Sequence, residues 1–219
     1  MQFIETSIMG VRSAVLTFRR SRSRPTFLLV PMAHIAERSF YDQVAERLRG
    51  CDLIVAEGRP NAETVLHRKM ARIRFDGLVH QTVALDLETL GVSLLWPDRG
   101  WNGGSTRWST VVGDVLTAVP DWVATLKFPS DGMDITDLTG HDGWREGRVR
   151  RAWRKSVLHD RDRLLLDRLG EVHRERRGAR ITVGVPWGAL HMTAVAGYLY
   201  SELGYRVTAA EWLTIRDAR

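Results

Sequence analysis

The sequence predicts an α/β fold, a central and largely parallel β-sheet flanked by helices, built from two related βαβ halves with a helical middle insert. Three observations predict it. Residues 26–30 and 181–185 are continuous apolar runs, as strands buried on both faces require. Each run ends in Val-Pro, at Val30-Pro31 and Val185-Pro186, and meets a histidine a few residues later, His34 and His191. Each is then followed by a helical pattern, a glycine, and a second strand pattern containing Ala-Glu, at Glu57 and Glu211. A strand, crossover helix and strand pair in parallel. The whole chain, 1–219, reads as one domain with a helical and loop insert at about 97–178.

Composition narrows the setting. Of 219 residues, 44% are apolar and 26% charged, which suits one α/β domain. The net charge is +6 and nearly all the basic residues are arginine, a usage that often follows base composition, so it is not taken as a nucleic-acid signal. A nucleic-acid role would need residues 145–154 to form one exposed basic face, and no base-reading motif accompanies them. Cys51 is the single cysteine, which excludes an internal disulfide and suggests a reducing compartment. The first residues lack a signal-peptide pattern, and no apolar run approaches the roughly 20 residues of a membrane span. The expectation is a cytoplasmic protein with no membrane or nucleic-acid partner. Homodimerisation is left open.

The elements follow in order. Residues 2–8 and 11–19 alternate loosely about Met9-Gly10 and predict an opening hairpin. Residues 19–25 form a basic turn. After the strand at 26–30, Ser39 to Asp42 predicts a capping-box helix start with Asp in place of Glu. That helix runs to about 49, with Phe40, Val44 and Leu48 on one face, and Gly50 ends it. Residues 52–57 are the next strand. Helices are expected at 61–74 and 78–90, the latter closed by Gly91, and a short strand at 92–96. Residues 97–107 read as a loop, 110–128 as an apolar helix broken at Pro120, and 130–143 as irregular. Residues 144–177 predict a long arginine-rich helix, punctuated by Gly170, with Leu158, Leu165, Leu166 and Leu169 as its apolar stripe. After the strand at 181–185 come a helix at 191–203, stopped by Gly204, and a final strand at 205–215 alternating about Val207, Ala209 and Glu211.

In a parallel sheet the loops after the strands emerge at one edge, and ligands bind there. His34 and His191 stand in such loops, and Glu57 closes its strand. If the two units lie side by side, all three reach one cleft. Two imidazoles and a carboxylate suit a divalent metal with an open position, whose bound water becomes a nucleophile near neutral pH. Mn, Co and Zn are not distinguished. Without a metal, a histidine or Glu57 could deprotonate water directly. Simpler roles stand beside these. Each histidine could be a helix cap, and Glu57 could pair with Arg59. Glu211 could face solvent, and Glu37 suits a helix N-terminal charge better than a fourth ligand. His67, His80, His141, His159 and His173 sit in polar contexts and are expected to be solvated.

Val30-Pro-Met-Ala-His34, Phe40-Tyr41, Leu48-Arg-Gly-Cys-Asp-Leu-Ile-Val-Ala-Glu57-Gly58 and Val185-Pro-Trp-Gly-Ala-Leu-His191 together resemble the TraB/PrgY/GumN proteins, grouped with the Tiki proteases, erythromycin esterases and ChaN haem-binding proteins. The shared pattern is G-x-x-H after the first core strand, Glu at the end of the next, and a second G-x-x-H near the C-terminus. Gly188-Ala-Leu-His191 matches in full, whereas Pro31 replaces the first glycine. Arg161-Asp162 resembles the family's Arg-acid step. Gly77-Leu-Val-His-Gln81 and Trp96-Pro-Asp98 are similar to a bacterial branch. The resemblance implies a hydrolase site, metal-dependent and peptide-cleaving in Tiki-like members, with His34, Glu57 and His191 on the metal or the water. Arg161 would bind substrate or stabilise an oxyanion, Asp162 would orient Arg161 or a histidine, and Trp187 and Met32 would line the pocket. The substrate would be a peptide or small molecule. Other members imply haem or peptide binding without chemistry, or a metal-independent esterase.

Overall fold

A computed structural model describes residues 2–21, 24–58, 77–97 and 158–218. The expectations for 61–74, for 98–157, and for His67, His141 and Arg59 lie outside these residues.

The opening hairpin is β1, Ile4–Ser7, and β2, Gly10–Arg19, paired antiparallel. Next come β3, Thr26–Met32, a three-residue β4, Ile35–Glu37, helix α1, Arg38–Arg49, and β5, Leu53–Val55. From residue 77 on lie β6, Leu78–His80, a single-turn helix α2, Gln81–Ala84, a 3-10 turn at Glu88–Leu90, and β7, Ser93–Leu95. From residue 158 on lie helix α3, His159–Glu175, β8, Thr182–Gly188, a 3-10 turn at Ala189–His191, helix α4, Met192–Ser201, and β9, Arg206–Asp217.

The sheet is mixed and mostly parallel. β3, β8, β5 and β7 lie side by side in parallel. β2 pairs antiparallel with β3 and β1, and along its whole length with β9. Two antiparallel steps make β9 run the same way as β3 and β8. Both crossovers therefore return in parallel, but they land differently. The first goes from β3 past β8 to β5, and the second from β8 past β3 and β2 to β9.

Alternating side chains divide the core. Phe27, Leu29, Val183, Val185 and Trp187 pack with Leu165, Leu169 and Val172 of α3 and Val195 and Leu199 of α4. Val30, Met32, Ile54 and Ala56 pack with Phe40, Tyr41, Val44 and Leu48 of α1. Each of these large apolar side chains contributes roughly 1.5–3 kcal/mol by leaving water. No helix of the described residues is long and apolar enough to cross a membrane.

Several local expectations are corrected. Ser39 does not cap α1. The N-cap lies two residues earlier, at Glu37, with no side-chain cap bond, because residues 35–37 are drawn into a two-stranded sheet with β6. That pairing also turns residues 78–80 from expected helix to strand, and His80 then caps α2 by accepting the Thr82 N–H. Both central strands run past their prolines, to Met32 and Gly188. Pro31 follows the last β2 partner at Leu29, and Pro186 follows the last β5 partner at Gly184, so each proline sits where one side of its strand is no longer paired. Gly170 does not interrupt α3. A Cβ there would lie 2.6 Å from the Tyr198 hydroxyl, so the missing side chain admits α4. In β9 the alternation is confined to Leu213 and Ile215, and residues 206–212 are exposed. His80 and His173 are buried rather than solvated, His173 against the Tyr205 hydroxyl at 3.0 Å.

Candidate active site

β8 lies between β3 and β5, so the carboxyl ends of three adjacent parallel strands meet. His34 follows β3, Glu57 stands two residues beyond β5, and Gly188 and His191 leave β8 into its 3-10 turn. The first turn of α3 brings Arg161 and Asp162.

Glu57 is the hub. Arg161 Nη1 is 2.8 Å from its Oε1, and the Gly188 N–H donates to its Oε2 at 2.5 Å. His191 Nε2 stands 3.8 Å from Oε1, beyond hydrogen-bond range. On its other side the same imidazole meets Asp162 Oδ1 through Nδ1 at 2.6 Å. With Nδ1–H donating to the Asp162 carboxylate, the other ring nitrogen, Nε2, is turned towards Glu57.

Burial pushes the Glu57 carboxyl up, but Arg161, His191, His34 and the Gly188 N–H outweigh it and hold the group at about 2. Glu57 is therefore ionised throughout the neutral range and is a weak proton acceptor. Of the two kinds of base the sequence left open, a histidine or Glu57, the carboxylate is therefore the poorer fit.

Trp187 is fully buried and braces the cluster rather than presenting an open wall. Its indole N–H donates to the Val55 carbonyl at 3.0 Å, tying β8 to the end of β5. Arg161 lies over its ring at 5.2 Å, and His191 packs edge-on at the same distance. Met32 is also buried, but in the α1 core. His34 is half-buried, and its imidazole makes no hydrogen bond to a described residue. Its backbone carbonyl accepts from Gln81, which fixes the bend after β3. Glu211 is elsewhere, bonded to Arg47 of α1 at 2.8 and 2.9 Å. Glu37 meets the Asp217 N–H near the end of β9.

The expected metal set of His34, Glu57 and His191 does not fit this geometry. Both Glu57 oxygens are engaged, one by a guanidinium that would repel a cation on the same carboxylate. Among the described residues no group of three or more His, Cys, Asp or Glu side chains is placed to hold a metal ion.

Sequence reading missed the role of Gly188. A Cβ at that position would stand 3.4 Å from Glu57 Oε2 and 3.7 Å from His191 Cδ2, ordinary van der Waals contact, so what Gly188 brings to the site is its backbone N–H on the carboxylate. The glycine three residues before His191 was the available signal. No family model, curated protein or solved structure matches the chain.

Proposed function

We propose that this cluster is a hydrolase site for a carboxylic ester or amide, with His191 as the base that activates water. The observation that carries the reading is the Asp162–His191 contact at 2.6 Å, which orients the imidazole and leaves Nε2 to take a proton. Water gives its proton to Nε2 as its oxygen attacks the carbonyl carbon. The negative charge that develops on the carbonyl oxygen is met by Arg161, held in place by Glu57 and the Trp187 ring. As the tetrahedral intermediate collapses, Nε2 returns the proton to the leaving oxygen or nitrogen. Ionised Glu57, 3.8 Å away, favours the imidazolium that forms between these steps. His34 presents a second imidazole from the neighbouring strand end. Of the chemistries implied by the TraB/PrgY/GumN resemblance, metal-independent ester hydrolysis agrees best with a Glu57 already paired to arginine.

The test is a screen of activated esters and short peptides with the full chain, with and without chelator. Hydrolysis should survive chelation. His191→Gln should lower kcat by about a hundredfold or more, and Asp162→Asn should do the same through the wrong tautomer. Activity lost to chelator and restored by a divalent ion would overturn the proposed chemistry in favour of a metal. No turnover, together with a Soret band on haem titration, would make the cleft a binding site.

A further inference from the structure

The opposite edge of the same sheet holds a different arrangement. β2 runs antiparallel to β3, so its last residue, Arg19, and Arg20 just beyond it arrive where β3 and β8 begin. Arg24 precedes β3 and Arg180 precedes β8. These four arginines, with Ser21, Thr26 and Thr182, line a depression of about 350 Å³. The sequence marked this stretch only as a basic turn, and the proposed hydrolysis does not use it.

Among the described residues, no carboxylate forms an ion pair with these four guanidinium groups. Arg20 donates to the Leu203 carbonyl at 2.9 Å and Arg24 to the His173 carbonyl at 3.4 Å, both neutral acceptors. The Arg19 and Arg180 side chains have no hydrogen bond or ion pair with a described residue. The nearby carboxylate is Asp52, which is occupied by the Thr182 N–H at 2.8 Å. Four guanidinium groups around one concavity repel one another unless an anion joins them. His173 reports the field from below. Burial lowers its pKa, and Arg24, Arg20, Arg174 and Arg177 all add to the lowering.

We propose that Arg19, Arg20, Arg24 and Arg180 form a binding site for a small phosphate-bearing ligand at the amino edge of the sheet. Guanidinium groups match phosphate oxygens in pairs, and the Thr26 and Thr182 hydroxyls are neutral donors beside them. The volume falls at the small end of the range for small-molecule sites. A concavity suits such a ligand better than a nucleic-acid duplex, which needs an extended basic face. A membrane surface is disfavoured because Ile181 is the single large apolar residue of the lining. β3 is seven residues long, which separates this site from Glu57 and His191 by roughly 20 Å. The inference therefore stands apart from the hydrolase reading.

Calorimetric titration of the full chain with inorganic pyrophosphate tests it, with inorganic phosphate and a nucleoside triphosphate as parallel probes. Saturable binding of one pyrophosphate or nucleotide per chain at physiological salt is expected, and the tighter of the two identifies a free or an esterified phosphate. Arg19→Gln with Arg180→Gln should weaken it by about tenfold or more. Those two guanidinium groups hold no described partner, so the fold should survive, as circular dichroism would verify. Arg24→Gln should weaken binding as well and guards against a misfolded double variant. Arg47→Gln, a change remote from the depression, should leave it unaltered. Absence of saturable binding by any probe overturns the proposal. So does equal binding by the double variant, or tighter binding to duplex DNA or phosphatidylserine vesicles that the same substitutions abolish.

Discussion

At the carboxyl edge of the sheet, Glu57, Arg161, Asp162 and His191 are largely buried, and each charge faces an opposite one or an imidazole. At the amino edge, Arg19, Arg20 and Arg180 are exposed and Arg24 is half-buried, and among the described residues none of the four has an ion pair. Desolvated charge at the first edge must be matched atom by atom, which fixes side chains in one geometry. Solvated charge at the second is screened and tolerates mismatch, which leaves it available to a ligand. Fixed geometry suits chemistry, and unmatched charge suits capture.

The comparison breaks most readily at Arg161. Arg161→Met should cost about 3–5 kcal/mol in urea unfolding, because it leaves Glu57 buried without its cation. Adding Glu57→Gln should recover much of that loss. A cost near zero for Arg161→Met would show that the carboxyl edge is as solvated as the amino edge.

Acid should dismantle the first edge next. Glu57 is held at about 2 against an ordinary 4.5, so its folded pKa is the lower one. Its contribution of about 3 kcal/mol is present above the unfolded value and is lost as pH falls through about 4.5 towards about 2. Urea unfolding across that interval should show the loss in the wild type and not in Glu57→Gln. Parallel curves for the two proteins would contradict the electrostatic account of the hub.

Gly188→Ala sharpens the distinction with a single methyl group. The added carbon would stand 3.4 Å from Glu57 Oε2, ordinary van der Waals contact, so the substitution should cost less than about 1 kcal/mol and leave the backbone N–H on the carboxylate. Carboxylate titration by NMR should then show the Glu57 pKa equally low in both proteins, and a raised value in Gly188→Ala would show that this edge has no room for a methyl group.

The smallest effect is expected from Glu211→Gln. Arg47–Glu211 has the same chemistry as Arg161–Glu57 at a similar distance, but Glu211 is 46% exposed whereas Glu57 is 12% exposed. Its loss should cost less than about 1 kcal/mol and should vanish in high salt.

His34, Glu57 and His191 could be brought to one sheet edge by reasoning from strand runs and loop position, because strand direction fixes where loops emerge. Asp162 could be named as a partner for arginine or histidine, but not assigned to one. That choice depends on where α3 sits against β8, a contact between residues 29 positions apart. His173 looked solvated because its neighbours in sequence are charged, yet its side chain faces Tyr205 across the fold. The strand at 78–80 was hidden for a related reason. Three residues carry no periodicity that separates strand from helix, and only the pairing with β4 decides.

By itself the sequence determined the α/β class, the buried central strands and the placement of two histidines and one glutamate after them. Hydrophobic period and proline position are local properties, and local sterics and burial enforce them. Tertiary structure alone decided that β8 separates β3 from β5, that Arg161 occupies Glu57, that Asp162 takes His191 Nδ1, and that four arginines meet at the far edge. Those outcomes depend on which surfaces bury against each other, and buried charges accept only the partners that packing brings within a few ångströms.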